Sequence, residues 1–215
     1  KIENMKMKKI ILFCFFLLSA FEIVNAQNTR EQQLFVGYIA AGMNATQIAG
    51  DRMAGYRKVG ANAGVGAYIM YKPFFSNSIE LTYSMKGSQE TFKKLDPLSF
   101  SKYSFDYVEI PVLFNYHESD IAIFHGGFTF GRLIRYELYQ ASGLLLPQEP
   151  KKWDFAATVG ATFLIKERFG LNIKANFSLN SLWNLTVASS RARRGGWYHN
   201  ALNFRFIYLF VKKNK

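Results

Sequence analysis

Apolar and polar residues alternate with a period of two along most of the chain. In "GLNIKANFSLN", Leu171, Ile173, Ala175, Phe177 and Leu179 fall on one face and Asn172, Lys174, Asn176, Ser178 and Asn180 on the other. "DYVEIPVLFNY" sets Val108, Ile110, Val112, Phe114 and Tyr116 against Tyr107, Glu109, Pro111, Leu113 and Asn115. "SIELTYSMK" opposes Ile79, Leu81, Tyr83 and Met85 to Glu80, Thr82, Ser84 and Lys86, and "LNFRFIYLF" opposes Leu202, Phe204 and Phe206 to Asn203, Arg205 and Ile207. Side chains of a β-strand point to opposite faces in turn, so this pattern predicts strands and excludes amphipathic helices. Eight strands are expected, at 34–44, 61–72, 77–88, 104–117, 120–136, 153–166, 169–183 and 200–211.

The connections carry as much information as the strands. "KPFFSNS", "HESD" and "KERFG" are short; "ATQIAGDRMAGYRKVG", "ETFKKLDPLSFSKYS", "LYQASGLLLPQEPK" and "NLTVASSRARRGGWYH" are long. Strict alternation of long and short connections over an even strand count predicts an all-β fold. That fold is an eight-stranded antiparallel up-and-down transmembrane β-barrel with long extracellular loops and short periplasmic turns. A soluble lipocalin-like barrel or a β-sandwich would also alternate. Two features favour the membrane barrel. The polar face is rich in Gly, Asn, Ser and Thr with sparse charge, which suits a crowded lumen. Aromatics also gather at both strand ends, where interfacial girdles belong: Tyr71, Phe74, Tyr116, Phe169, Tyr208 and Phe210 at the short turns, and Phe105, Trp153, Phe155, Trp183 and Trp197 at the long loops.

In this frame Glu109 and Pro111 become intelligible inside an otherwise apolar run. The polar face of a small closed barrel is its interior, so Leu171, Ile173, Phe177, Phe204 and Phe206 should face lipid. Glu80, Lys86, Glu109, Lys174 and Arg205 should form a polar network in the lumen. A buried carboxylate needs a cation, and Glu109 is expected to find one in Lys86, Lys174 or Arg205. Pro111 lacks a donor and should produce a bulge or an interruption of the ladder. Tyr68, Met70, Tyr107 and Leu113 should fill much of the remaining bore, leaving at most a narrow pore or a small-ligand cavity.

The N-terminus predicts export. Lys6, Lys8 and Lys9 precede an unbroken apolar run from Ile10 to Ala20, followed by Val24-Asn25-Ala26. Residues 1–26, with a few upstream of the first methionines, read as a signal peptide, and 27–215 as one barrel domain. The single cysteine, Cys14, lies in the apolar run, so the exported part has no thiol chemistry. The formal charge is +12, with 27 Lys and Arg against 15 Asp and Glu. Export turns that basicity away from nucleic acid and towards an anionic membrane surface.

Candidate chemistry is sparse. His117 lies in the turn "YHESD"; His125 alternates into the lumen; His199 is placed at the outer rim with Ser189 and Ser190 in the loop before it. There is no G-x-S-x-G, no metal-spaced His/Asp/Glu set and no phosphate-binding glycine loop. The expectation is no catalytic residues, no metal and no cofactor. A lipid-modifying enzyme, with His199 as its base, is the less favoured alternative. The basic loops suggest a contact surface for lipopolysaccharide or for other envelope proteins. Arg191, Arg193, Arg194, Trp197 and Tyr198, all in the last long loop or just beyond it, are the candidate residues.

Several stretches resemble a known family. "VGYIAAGMNATQ", "VGAYIMYKP", "SIELTYSMKGSQ", "YVEIPVLFNY", "FHGGFTFGRL", "WDFAATVGATF" and "HNALNFRFIYLF" together resemble PorT-like outer-membrane β-barrel proteins of the Bacteroidetes. "EIPVL" is the most specific piece. The resemblance implies an eight-stranded barrel in the cell outer membrane and no reaction. With a filled bore and no catalytic set, the expectation is a non-enzymatic structural or accessory envelope role, with a subunit of a larger complex such as a type IX secretion assembly as the alternative. The tail "VKKNK" after Phe210 departs from the aromatic terminus common in such barrels.

Overall fold

The computed structural model describes residues 34–51, 55–90, 101–118, 121–140, 149–183 and 196–211. The expected signal segment and most of each long loop lie outside these residues. The described chain forms β1 (Phe35–Ala49), β2 (Lys58–Lys72), β3 (Phe75–Gln89), β4 (Ser101–Glu118), β5 (Ala122–Gln140), β6 (Trp153–Lys166), β7 (Phe169–Ser178) and β8 (Tyr198–Leu209). Every neighbouring pair is antiparallel, and β1 pairs with both β2 and β8, from Phe35↔Ile69 and from Tyr38↔Leu209. The sheet is a closed barrel in sequence order.

The register puts the expected faces where the alternation required. Ile110, Val112, Phe114, Phe204 and Phe206 are exposed on the outside, whereas Glu109, Leu113, Asn115, Asn203 and Arg205 are buried inside. A transmembrane strand needs about 9–11 residues. β4 and β5, of 18 and 19 residues, exceed that and project past the bilayer at the long-loop end.

The interior is layered. At the long-loop end Ile48, Tyr103, Phe105, Tyr107, Leu182, Trp183 and Trp197 form one apolar cluster; at the short-turn end Tyr38, Ala40, Tyr68, Ile123, Ile207 and Leu209 form another. Charged and amide side chains lie between them. Two glycines on β2 make room for this packing. A Cβ on Gly66 would come within 2.6 Å of the Tyr38 ring, and one on Gly64 within 2.7 Å of a Glu80 carboxylate oxygen.

Two expectations need correction. β7 ends at Ser178 and not near residue 183. Beyond it the chain turns inward, because Leu182 N–H donates to Trp197 O at 2.6 Å and Leu182 O accepts from Lys151 N–H at 3.0 Å. Phe105, Trp183 and Trp197 are therefore not part of an outer girdle; they are 0%, 4% and 9% exposed and close the mouth from within. At Pro111 the ladder is interrupted, the second of the two outcomes expected there, and no bulge forms. Pairing with β3 runs Ile79↔Val112 and then resumes at Thr82↔Glu109 in the same register, so the ladder lapses without slipping. The register shift of β4 falls instead at Asp106/Tyr107, against β5.

Placing arginine at the lipid-facing mid-strand position of Phe204 should lower the unfolding free energy in lipid vesicles by about 2–4 kcal/mol. Phe204→Leu, which keeps the position apolar, should show a change several times smaller. An arginine at Phe204 that cost no more than leucine would place that side chain in the polar bore and the register one residue out, since a slip of one flips every side chain.

Candidate functional site

The strand faces bring the five expected lumen residues into two ion clusters. In the first, Arg205 on β8 grips Glu80 on β3 through both terminal nitrogens, and Lys174 on β7 adds a third contact at 3.3 Å. Tyr38 O–H donates to the same carboxylate at 3.0 Å and Thr82 Oγ1–H at 2.5 Å. The guanidinium spends its other donors on Asn172 Oδ1, at 2.8 and 3.1 Å, and on Asn62 Oδ1 at 3.1 Å. Arginine's flat fork suits this site, because it meets a carboxylate on one edge and amide oxygens on the others.

In the second cluster Lys86 Nζ lies 2.5 Å from Glu109 and 2.8 Å from Asp154. Its ammonium is 5.2 Å from the centre of the Tyr107 ring, and Ser178 O–H donates to Asp154 at 2.6 Å. Glu109 thus takes Lys86, of the three cations expected to serve it, while Lys174 and Arg205 go to Glu80. Asp154 was not anticipated. Its signal was present in "WDFAATVGATF", where it shares the inward parity of Ala156 and Thr158. Three cations (Lys86, Lys174, Arg205) meet three carboxylates (Glu80, Glu109, Asp154), all nearly fully buried, so the mid-barrel layer balances its charge. A cavity beside Lys174 and His125 has room for about one water.

The histidines sit apart from one another. His199 is 3% exposed, well inside the mouth and not at its rim. Its ring packs against Phe105 and Tyr107 at 5.2 and 5.5 Å, and its Nε2 shares a 3.3 Å hydrogen bond with Tyr107 Oη. His117 shares a 2.7 Å hydrogen bond with Ser76 Oγ at the short-turn end. His125 lines the small cavity. Among the described residues no three His, Cys, Asp or Glu are grouped to hold a metal.

Of the five residues expected to meet a partner, Arg191, Arg193 and Arg194 lie outside the described residues. Trp197 corrects the expectation. It packs edge-on against Trp183 at 5.0 Å and against Tyr103 at 5.7 Å, so its ring belongs to the plug and is withdrawn from any partner. Tyr198, half-buried, opens β8.

On the outer wall, sequence reasoning missed a second feature. Arg132 on β5 is paired in register with Trp153, the first residue of β6, and its guanidinium lies 5.3 Å from the centre of that indole. Below them Phe155 stacks on Phe128 at 5.3 Å and tilts against Phe130 at 5.0 Å, forming an aromatic strip on the outside.

A family model described as outer membrane protein beta-barrel domain matches residues 25–184. No curated protein is significantly similar to the chain. Among solved structures, Ail, the attachment invasion locus protein of Yersinia pestis, is 11% identical with a TM-score of 0.49, over 81% of this chain and 98% of that one. The outer membrane protein OprG from Pseudomonas aeruginosa is 12% identical with a TM-score of 0.44, over 82% and 96%. The outer membrane protein AlkL is 14% identical with a TM-score of 0.40, over 89% and 98%.

Glu80→Gln should destabilise the barrel by about 3–5 kcal/mol, because it leaves Arg205 and Lys174 buried without their carboxylate. Replacing Glu80, Lys174 and Arg205 together with apolar residues of similar volume should restore much of that loss. Denaturant unfolding followed by the heat-dependent gel shift measures both.

Proposed function

Because the chain belongs to the outer membrane protein beta-barrel domain family, it is a small outer-membrane barrel, and we propose that it works with its lumen closed, as a non-enzymatic structural or accessory protein of the envelope. The observation that carries this reading is the layered interior. An apolar plug at each end encloses a charge-balanced layer whose six ionic side chains are each committed to a partner. A bore of eight strands is one that side chains fill. Solutes would have to displace Trp183 and Trp197 and then break buried ion pairs.

The same layering speaks against lipid hydrolysis. A nucleophile needs a base within hydrogen-bond reach and a path for substrate. His199 is buried against Phe105 and Tyr107, and the hydrogen bond at its Nε2 goes to a phenol. The working surface is then the wall and the loops. The likeness of "YVEIPVLFNY" to PorT-like proteins supports a second reading, in which that surface docks in a larger envelope assembly such as a type IX secretion complex.

Purified barrel reconstituted in planar bilayers should show no steady conductance steps. Reproducible single channels from the wild-type protein would overturn the closed-lumen reading.

A further inference from the structure

The corner formed by Arg132, Lys152 and Trp153 lies on the outer wall, away from both ion clusters. Its height follows from strand length. Counted from Ala122 at the short-turn end, Arg132 is the eleventh residue of β5 (122 to 132), where a crossing of about 9–11 residues reaches the far interface. The residues on either side of that height differ in kind. Below lie the exposed Phe128 and Phe130; above, beyond the exposed Ile134, charge appears with Arg135 and Glu137, an ion pair that also ties Asp106. Trp153, 64% exposed, sits at the level where tryptophan anchors a membrane protein.

The corner is held rigidly. Asn180 clamps the start of β6 from the side, donating to Trp153 O at 2.7 Å and accepting from Phe155 N–H at 2.6 Å. Leu133 N–H donates to Lys152 O at 2.8 Å, which fixes the Lys152 backbone beside Arg132. Arg132 takes part in none of the ion pairs among the described residues. Its contact is the indole face, which orients a guanidinium without consuming its donors. Lys152 is exposed, one residue before the tryptophan that Arg132 packs on. An oriented guanidinium that joins no ion pair among the described residues, with an exposed lysine adjacent in the chain to its tryptophan partner, poised at headgroup height over an aromatic strip, matches one kind of partner: a phosphate carried on a lipid.

We propose that Arg132, Lys152 and Trp153 form a binding site for the phosphate of an outer-leaflet glycolipid of the lipid A type, whose acyl chains run down over Phe130, Phe155 and Phe128. The outer leaflet is the source because the long-loop end faces outward in this fold. Arginine supplies the bidentate fork for the phosphate oxygens, lysine the second charge, and the aromatic strip the contact for the chains. The proposal rests on the preceding reading only for the barrel's orientation. A conducting lumen would leave it standing, and a silent lumen would not rescue it.

Tryptophan emission provides the readout, because Trp153 is the exposed one of the three tryptophans, while Trp183 and Trp197 are buried. Detergent-purified barrel is titrated with diphosphoryl lipid A, with the same lipid enzymatically dephosphorylated, with phosphatidylglycerol and with inorganic phosphate. Diphosphoryl lipid A should shift the Trp153 emission saturably and bind about tenfold more tightly than the dephosphorylated lipid or phosphatidylglycerol. Arg132→Gln and Lys152→Gln should each lose most of that preference while keeping the heat-dependent gel shift of a folded barrel. Equal binding of the phosphorylated and dephosphorylated lipids by wild type, which needs no variant, would reduce the site to an apolar belt and overturn the proposal. So would equal binding of phosphatidylglycerol, saturation by inorganic phosphate alone, or a folded Arg132→Gln that binds as wild type does.

Discussion

Closure of the sheet is the constraint on which the rest of this structure depends. The hydrocarbon core offers no water to a free N–H or C=O, so a sheet crossing it can have no edge. β1 meets that demand by pairing with β8 as well as β2. Closure then decides the two faces. The outside must be apolar to meet lipid, and the inside of an eight-stranded ring is narrow, so whatever polar groups it holds must satisfy one another.

The charge-balanced layer is the solution reached here. Glu80 collects Arg205, Lys174, Tyr38 and Thr82, and Lys86 is shared by Glu109 and Asp154. Such pairs add little net stability over a well-packed apolar filling, because desolvation offsets most of the attraction. Their value lies in specifying the register. A slip of one residue would turn Glu80, Lys174 and Arg205 into the bilayer and Phe204 and Phe206 into the bore, a penalty no apolar filling would impose so sharply. The glycines of β2 belong to the same solution, since Gly64 and Gly66 vacate the space that Glu80 and Tyr38 need to meet.

This explains why some of the structure was legible in the sequence and some was not. Wherever a strand crosses lipid, alternation is enforced by solvent on one side and by pairing on the other. The lipid face of Phe204 and the lumen positions of Glu80, Glu109, Lys174 and Arg205 could therefore be read by parity alone. Which cation meets which carboxylate could not, because that depends on strand tilt and side-chain reach around the ring, and Asp154 was missed as a partner. Legibility fails at the long-loop end, where the bilayer no longer dictates sidedness. There Trp183 and Trp197, plausible girdle residues by composition, turn inward because Leu182 and Trp197 hydrogen-bond across the mouth. His199 follows them into the interior. Phe105 is the exception that parity could have caught, since it shares the inward phase of Tyr107 and Glu109. The Arg132–Trp153 contact joins residues on different strands, and only the register reveals it.

The placement of irregularities follows the same logic of solvent. β4 carries two, and they differ in kind because they lie at different depths. At Asp106/Tyr107, beyond the outer interface, the register shifts against β5, and Asp106 pairs with the exposed Arg135. Water is at hand there for any backbone group that loses its partner, so a bulge is inexpensive and can re-aim a side chain. At Pro111, within the bilayer, the register is kept on both sides: Thr129 remains opposite on β5, and the lapse towards β3 closes again at Thr82. Proline is tolerable at that depth because it brings no N–H of its own to leave unpaired. Any other residue interrupting the ladder there would strand a donor in hydrocarbon, at a cost of several kcal/mol. A proline in the dry part of the strand and a bulge in the wet part are thus the same rule applied on the two sides of the interface.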